Sequence, residues 1–288
     1  MKLSFIGLGV MGYPMAGHLQ NSGHEVCVYN RTHAKAENWT TQYGGTCCKT
    51  PREAAIGADI VFICVGNDDD VRSVTFGADG VLTGLEANTV LVDHTTTSAD
   101  LARELGEACA AKSIDFIDAP VSGGQAGAEN GALTIMIGGH DKTYATVEPV
   151  LNCYAKKTKL LGPIGSGQLA KMVNQICIAG VVQGLSEALN FAMKTGLNAD
   201  DVVDVISKGA AQSWQMENRA STMVQNEFDF GFALDWMRKD LGFALDEAGK
   251  LDIPLPVTKL VDGYYKEIQK NGGGRWDTSA LITLLNKH

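Results

Sequence analysis

Residues Leu3-Ser4-Phe5-Ile6-Gly7-Leu8-Gly9-Val10-Met11-Gly12 open the chain and decide its fold. A short apolar, strand-like run ends in glycines at G-x-G-x-x-G spacing. A helix-like segment follows to about Ser22, and residues 25–29 form a second strand. Strand, glycine loop, helix and strand in that order make the unit that binds dinucleotides. Gly7 allows the tight turn, Gly9 lets the main chain approach a pyrophosphate, and Gly12 permits close helix packing. The pyrophosphate lies against the unpaired N–H groups of the helix N-terminus, so Leu8, Val10 and Met11 join the glycines as cofactor-binding candidates. Pro14 is compatible, because first-turn amides have no intrahelical partner.

The residues after the second strand select the cofactor. An NAD enzyme usually carries an acidic side chain there, which accepts hydrogen bonds from the ribose hydroxyls. This chain has Asn30-Arg31-Thr32 instead. Asn30 removes the repelling carboxylate, while Arg31 and Thr32 can grip a 2′-phosphate. NADP(H) is therefore expected over NAD(H); the alternative is that Arg31 is a solvated surface residue.

Outward from this unit the alternation continues. Residues 59–65 and 89–93 read as buried parallel strands, ending at Gly66-Asn67 and at His94-Thr95-Thr96-Thr97. Ligands of open parallel sheets lie beyond the carboxyl ends of the strands, which makes Val65, Gly66 and Thr95 cofactor-contact candidates. Ser98 is placed to cap a helix reaching about Lys112. Residues 114–118 form a strand that leads into Ala119-Pro120-Val121-Ser122-Gly123-Gly124. A serine and two glycines at a strand end expose a hydroxyl and main-chain N–H groups, a nest for a small carboxylate. The other reading of that segment is a simple turn. Residues 133–137 and 159–161 are further strands, with a helix from Thr143 to about Leu151 between them.

Past the midpoint, Gly165-Ser166-Gly167-Gln168-Leu169-Ala170-Lys171-Met172-Val173-Asn174-Gln175 opens one long apolar helix reaching about Met193. Residues three and four apart share a helix face, so Lys171, Asn174 and Gln175 present an ammonium and two amides together. A lysine on so apolar a helix either snorkels to a surface or is held at a site. Beyond it the pattern is helical throughout: 199–208, about 214–226, 234–251, 257–271 and 278–288. Asp200, Pro256 and Thr278 mark starts, and Gly272-Gly273-Gly274 is a stop. Trp214 is a candidate pocket wall, with a plain core tryptophan as the alternative. The expected fold is an α/β Rossmann-type N-terminal domain with a mostly parallel sheet (residues 1–164), plus an all-α C-terminal domain (residues 165–288), joined by the long bridging helix.

Composition bounds the partners. With 288 residues, 45% hydrophobic and 20% charged, the chain can bury a sizeable core. A net charge of −9 argues against nucleic acid, since phosphate backbones need a basic surface. Seven cysteines without C-x-x-C spacing, and six histidines without metal-ligand spacing, point to reduced thiols and no metal. The chain begins on a strand-like run without a basic leader, so a cytoplasmic protein is expected. The apolar run from residue 169 to 193 has membrane-span length, but Lys171, Asn174, Gln175, Gln183, Glu187 and Asn190 interrupt it, and a buried core helix without a membrane is expected instead. That helix is apolar on nearly every side, more than one small helical domain can cover, so a homodimer or homotetramer is expected.

Four motifs in order resemble those of the β-hydroxyacid dehydrogenases along the whole chain: residues 5–16, the Asp118-to-Gly124 stretch, Gly167 to Asn174, and Lys239-Asp240-Leu241-Gly242. The family includes 3-hydroxyisobutyrate dehydrogenases, tartronate semialdehyde reductases and glyoxylate/succinic semialdehyde reductases. The resemblance implies that Lys171 is the catalytic lysine and that Ser122, Gly123 and Gly124 hold the substrate carboxylate. It makes Asn174 or Gln175 the substrate-positioning amide and Phe232 an aromatic of the pocket. Lys239 is similar to the lysine that reaches the cofactor from the helical domain. Asn30-Arg31-Thr32 looks like the NADP-preferring version, where 3-hydroxyisobutyrate members commonly have Asp. The implied reaction is hydride transfer between NADP(H) and a short hydroxy acid or its semialdehyde. The rivals are a 3-hydroxyisobutyrate or L-serine dehydrogenase proper, an imine reductase (which usually has Asp or Tyr in place of Lys171), and a silent NADP-binding scaffold.

Overall fold

The structure, a computed structural model, describes residues 1–285. It forms two compact units, Met1–Lys171 and Met172–His288. The units part inside the long helix, whereas the sequence reading sets the boundary at its start.

Unit 1 is built on a nine-stranded sheet: β1 (Lys2–Ile6), β2 (Glu25–Tyr29), β3 (Thr46–Cys47), β4 (Ile60–Ile63), β5 (Val90–Asp93), β6 (Asp115–Asp118), β7 (Val121–Ser122), β8 (Leu133–Gly138) and β9 (Ala155–Gly162). The order β3-β2-β1-β4-β5-β6 is parallel throughout. Beyond β6, β8 runs antiparallel to β6 and β7, and β9 pairs parallel with β8. Successive side chains of a strand point to opposite faces. Phe5, Phe62 and Val92 thus enter one core, and Ile6, Ile63 and Leu91 the other. Burial on both faces is why these strands read as continuous apolar runs rather than alternating ones. The strand order reverses at β1, which lies between β2 and β4, so the carboxyl ends of these strands form the switch point where ligands bind.

Several elements differ from the sequence reading for local physical reasons. Strand β9 runs from Ala155, not 159, because Lys156, Lys157 and Lys159 face solvent on a strand that pairs on one side only, where lysine guards an edge. Strands β3 and β7 are too short to show in a pattern. Ser98 caps its helix as expected, its hydroxyl accepting from the Leu101 amide at 3.1 Å. Helix Ala199–Ile206 starts one residue before Asp200, and its cap is Asn198, whose Oδ1 accepts from the amides of Asp200 and Asp201. Helix Pro256–Ile268 passes into a π-helical turn, Gln269–Gly273, in which Gly272 has φ +89°. The last helix starts at Thr278 as expected, with Asp277 as its cap, but Thr278–Leu284 is 3₁₀ rather than α; the last three residues of the expected 278–288 helix lie outside the described residues.

The long helix is Ser166–Lys194. It is not a buried core helix: less than half of its most apolar stretch is buried, and Val173, Val181 and Phe191 are exposed. In unit 2 it packs through Ala179, Val182, Leu185 and Leu189 into a core that includes Met223 and Leu241.

His94, just past β5, is fully enclosed and stacks on Phe62 with ring centroids 5.8 Å apart. Its Nδ1 lies 2.6 Å from the Ala119 carbonyl, which can only accept. The ring is therefore the neutral Nδ1–H tautomer, and Nε2 accepts from the Tyr154 hydroxyl at 2.9 Å. Burial lowers its pKa from 6.5 to about 4. A neutral form favoured in the fold stabilises fully above pH 6.5, and that stability is lost as pH falls toward 4, about 3 kcal/mol for such a shift. Burial also pushes Asp93 and Asp118 up to about 7 and about 6, and these titrate with the opposite sign in the same window. Their contribution cancels when wild type is compared with His94→Phe. From pH 7 to pH 4 the wild-type urea midpoint should fall relative to that of the variant; a constant difference would contradict the assignment.

Candidate active site

The glycine loop turns directly off β1. Gly7 has φ +99°, a conformation open to glycine, and a Cβ there would collide with the Cys64 carbonyl. A Cβ on Gly12 would strike the Gly7 carbonyl and sit 2.9 Å from the Phe5 ring, so Gly12 closes the loop onto its own strand. Gly9 differs, since a Cβ there meets nothing within 4 Å among the described residues beyond its chain neighbours. Nothing in the protein's packing requires glycine at that position, whereas close approach of a pyrophosphate does. The loop thus fits a dinucleotide.

Asn30, at the end of β2, has a task the sequence does not disclose. Its Oδ1 accepts from the Leu8 amide at 2.9 Å and its Nδ2 donates to the Thr32 carbonyl at 3.0 Å, binding the glycine loop to the residues that follow β2. The Arg31 side chain is 86% exposed and 3.4 Å from Asp70 Oδ1. Thr32 stands at the N-cap of helix His33–Tyr43, and its hydroxyl does not cap that helix.

At the neighbouring strand ends, the Val65 amide, just before Gly66, donates to Thr95 Oγ1 at 3.1 Å. The Thr95 amide in turn donates to Asp93 Oδ1 at 2.9 Å. Val65 and Thr95 are thereby joined just beyond the ends of β4 and β5, with Gly66 next in the chain.

The carboxylate candidates lie at the far side of the sheet. Val121 and Ser122 are not a free strand end but strand β7, with Ser122 opposite Thr134 of β8. Gly123 (φ +137°) and Gly124 (φ +61°) then turn the chain into helix Gly124–Glu129. Lys171 is buried, 7% exposed, and its Nζ donates to the Val121 carbonyl at 2.9 Å. The amine is thus held beside the Ser122-Gly123-Gly124 loop from a helix fifty residues away in sequence. Snorkelling to a surface is excluded by that burial.

Asp118, at the end of β6, fixes the start of this helix. Its Oδ1 accepts from the Gly165 amide at 2.7 Å and its Oδ2 from the Gln168 amide at 2.9 Å. A carboxylate at a helix N-terminus meets both the orphan amides and the positive end of the dipole. Gly138 and Gly167 make room, since a Cβ on either would press on that carboxylate.

Within unit 2, Gln175 is buried with both amide ends engaged: Oε1 accepts from Asn174 Nδ2 at 2.7 Å, and Nε2 donates to Asp240 Oδ2 at 2.7 Å. Lys239 Nζ lies 3.3 Å from Asp240 Oδ1 and 5.6 Å from the ring centroids of Trp236 and Phe243. Phe232 packs against the helical core, and its amide donates to Asp277. Trp214 is no core tryptophan; it is 48% exposed, with the Arg219 guanidinium 4.8 Å from its ring centroid. Among the described residues no cluster of His, Cys, Asp and Glu is arranged to hold a metal ion.

Residues 2–162 match the sequence profile of the NAD binding domain of 6-phosphogluconate dehydrogenase, and residues 165–285 match that of the NAD-binding region of NADP-dependent 3-hydroxyisobutyrate dehydrogenase. The chain belongs to the β-hydroxyacid dehydrogenases. This dehydrogenase is 62% identical over 286 residues to an uncharacterised oxidoreductase of Shewanella frigidimarina, covering 99% of this chain and 98% of that one. It is 34% identical to the 2-hydroxy-3-oxopropionate reductase of Escherichia coli, covering 99% and 97%. A solved structure of Mycobacterium tuberculosis 3-hydroxyisobutyrate dehydrogenase with L-serine superposes with a TM-score of 0.89 at 29% identity, covering 99% of each chain. The chain is therefore an NAD(P)-dependent hydroxyacid dehydrogenase, and its N-terminal unit is the nicotinamide-cofactor domain.

Proposed function

We propose that this dehydrogenase interconverts a short hydroxy acid of the 3-hydroxy type and its semialdehyde, with Lys171 as the acid–base group and NADP(H) preferred over NAD(H). The reading is carried by one observation: the buried Lys171 amine, 2.9 Å from the Val121 carbonyl, is held next to the Ser122-Gly123-Gly124 loop. The cofactor supplies or takes up the hydride. The Ser122 hydroxyl and the Gly123 and Gly124 amides hold the substrate carboxylate, which sets the acid group a short chain away from the reacting carbon. In reduction the Lys171 ammonium donates a proton to the oxygen that gains charge; in oxidation the neutral amine accepts the hydroxyl proton. Gln175 has both amide ends engaged within unit 2, so Asn174 takes the substrate and Gln175 orients it. Phe232, Trp214 and Lys239 keep the pocket and cofactor roles that the resemblance implies. Val173, Val181 and Phe191 on the long helix support a dimer or tetramer, which light scattering at micromolar concentration tests.

The cofactor preference rests on Arg31, Thr32 and the N-terminus of helix His33–Tyr43, whose first amides complement a phosphate. The exposed Arg31–Asp70 pair is worth at most about 1 kcal/mol, so a 2′-phosphate can displace Asp70. Arg31→Ala should raise KM for NADPH roughly 10–100-fold, as loss of a charge-assisted contact implies. KM for NADH should stay within about twofold. Equal losses for both coenzymes would overturn the preference. The reaction itself is tested by steady-state rates with succinic semialdehyde, glyoxylate, tartronate semialdehyde, methylmalonate semialdehyde, 3-hydroxyisobutyrate and serine. Tight coenzyme binding without turnover of any of them would refute it.

A further inference from the structure

Gln168 has no part in the chemistry above, yet it is fully buried on the same helix as Lys171, one turn earlier. A buried amide needs partners at both ends, and Gln168 finds them in main chain rather than in side chains. Its Oε1 accepts from the Thr97 amide at 3.0 Å, and its Nε2 donates to the Thr95 carbonyl at 2.8 Å. Thr95 and Thr97 lie in the irregular stretch after β5, outside any strand ladder, so the Gln168 side chain pairs with them as a neighbouring strand would. Thr95 also accepts the Val65 amide through its hydroxyl, which carries the connection to the end of β4. The Gln168 main chain is held from the other side, its amide donating to Asp118 Oδ2.

We propose that Gln168 is a positioning residue that keeps Lys171 in register with the cofactor-side loop Thr95–Thr97. This rests on the reading of Lys171 as the acid–base group. The helix has one rotational setting in which the Gln168 amide meets both Thr95 and Thr97 and the Lys171 amine meets Val121. Asp118 still holds the Gly165 and Gln168 amides when the first contact is lost, but the turn that carries Lys171 is no longer tied to Thr95 and Thr97 and can shift about that anchor. A displacement of about 1 Å at a reacting group can lower turnover 100-fold without loss of binding.

The test is Gln168→Met, similar in volume but unable to make either bond, assayed beside Lys171→Ala. The expected result is a 10–100-fold loss of kcat with KM for the hydroxy acid within threefold. The isotope effect with NADPH deuterated at the transferred position should also rise, because the chemical step becomes slower. A merely structural role would lower the active fraction and the Tm but leave the isotope effect unmoved, and that result overturns the proposal. Gln168→Glu covers the case in which the methionine variant does not fold. The introduced carboxyl keeps both bonds only while protonated, its O–H donating to Thr95 and its carbonyl oxygen accepting from Thr97. It would face Asp118 at its own amide, Asp93 at the Thr95 amide, His94 before Thr95, Asp68 at Ser98 and Lys171 one turn on. Burial and the aspartates favour the protonated form. The kcat of this variant relative to wild type should therefore recover as pH falls from 8.5 to 6, and a constant ratio would also overturn the proposal. If Lys171→Ala leaves turnover intact, the acid–base reading fails. If it abolishes turnover while Gln168→Met keeps kcat within twofold, only the positioning claim fails.

Discussion

Lys171→Ala is expected to lower kcat by about 10²–10⁴-fold, the usual contribution of a positioned acid–base group, while NADPH binds as in wild type. The two effects separate because the groups are separate. The coenzyme loop is closed by Gly7 and Gly12 and held by Asn30 at 2.9 Å, whereas the lysine bonds the Val121 carbonyl. The amine's bond to the Val121 carbonyl holds it beside the Ser122-Gly123-Gly124 loop, and cutting it leaves that carbonyl without its ammonium, a cost of about 1–3 kcal/mol in stability. Lys171→Met keeps the aliphatic volume and should show the same loss of turnover with less unfolding. Lys171→Arg keeps the charge but not the chemistry. A guanidinium does not deprotonate at these pH values, so alcohol oxidation should fall further than aldehyde reduction. Fluorescence titration of NADPH and steady-state assays in both directions are the measurements. A variant that turns over at the wild-type rate removes the acid–base role, and one that loses coenzyme affinity in proportion to kcat removes the separation of sites.

What the sequence discloses follows from how far apart the interacting residues lie. The glycine loop is legible because turn, close approach and helix start all fall within Gly7 to Gly12. The parallel strands are legible because burial on two faces writes itself as unbroken apolar runs. Lys171 and the Ser122 loop are legible only as separate motifs, since nothing local says that an amine on one meets a carbonyl next to the other. Gln168 is the sharper case. A glutamine in an apolar helix is visibly a buried polar group, but its partners lie 71 and 73 residues earlier, in main chain that carries no side-chain signature. In sequence Asn30 signals only the charge it lacks, and the structure adds the amide it bonds. The helical unit was legible in its helices and less so in its joints, where Asn198 and Asp277 do the capping. A capping carboxylate and a solvated one look alike until their donors are known.

Asp277→Ala is expected to destabilise the helical unit by about 3–5 kcal/mol, the cost of leaving a largely buried charge without its partner. The Asp277 carboxylate is 1% exposed and sits at a junction of three segments. Its Oδ1 accepts from Arg219 Nε at 3.1 Å and from the amide and hydroxyl of Ser279, at 3.0 and 2.7 Å. Its Oδ2 accepts from the Phe232 amide at 2.9 Å. One side chain thus ties helix Trp214–Val224 and the stretch before helix Leu234–Lys250 to the 3₁₀ turn Thr278–Leu284. Gly231, at φ +71°, leaves space for that carboxylate, which a Cβ would strike. Alanine removes the acceptor and strands the Arg219 guanidinium, whose side chain is only 17% exposed. Asp277→Asn keeps one acceptor oxygen and should cost less. Adding Arg219→Met to Asp277→Ala should return part of the loss, because the unpaired charge then disappears while the orphaned amides remain. Urea unfolding followed by tryptophan fluorescence resolves this, since Trp214 stands beside Arg219. A loss under about 1 kcal/mol for Asp277→Ala, or a double variant weaker by the full sum of the single ones, would show that these bonds do not act as one unit.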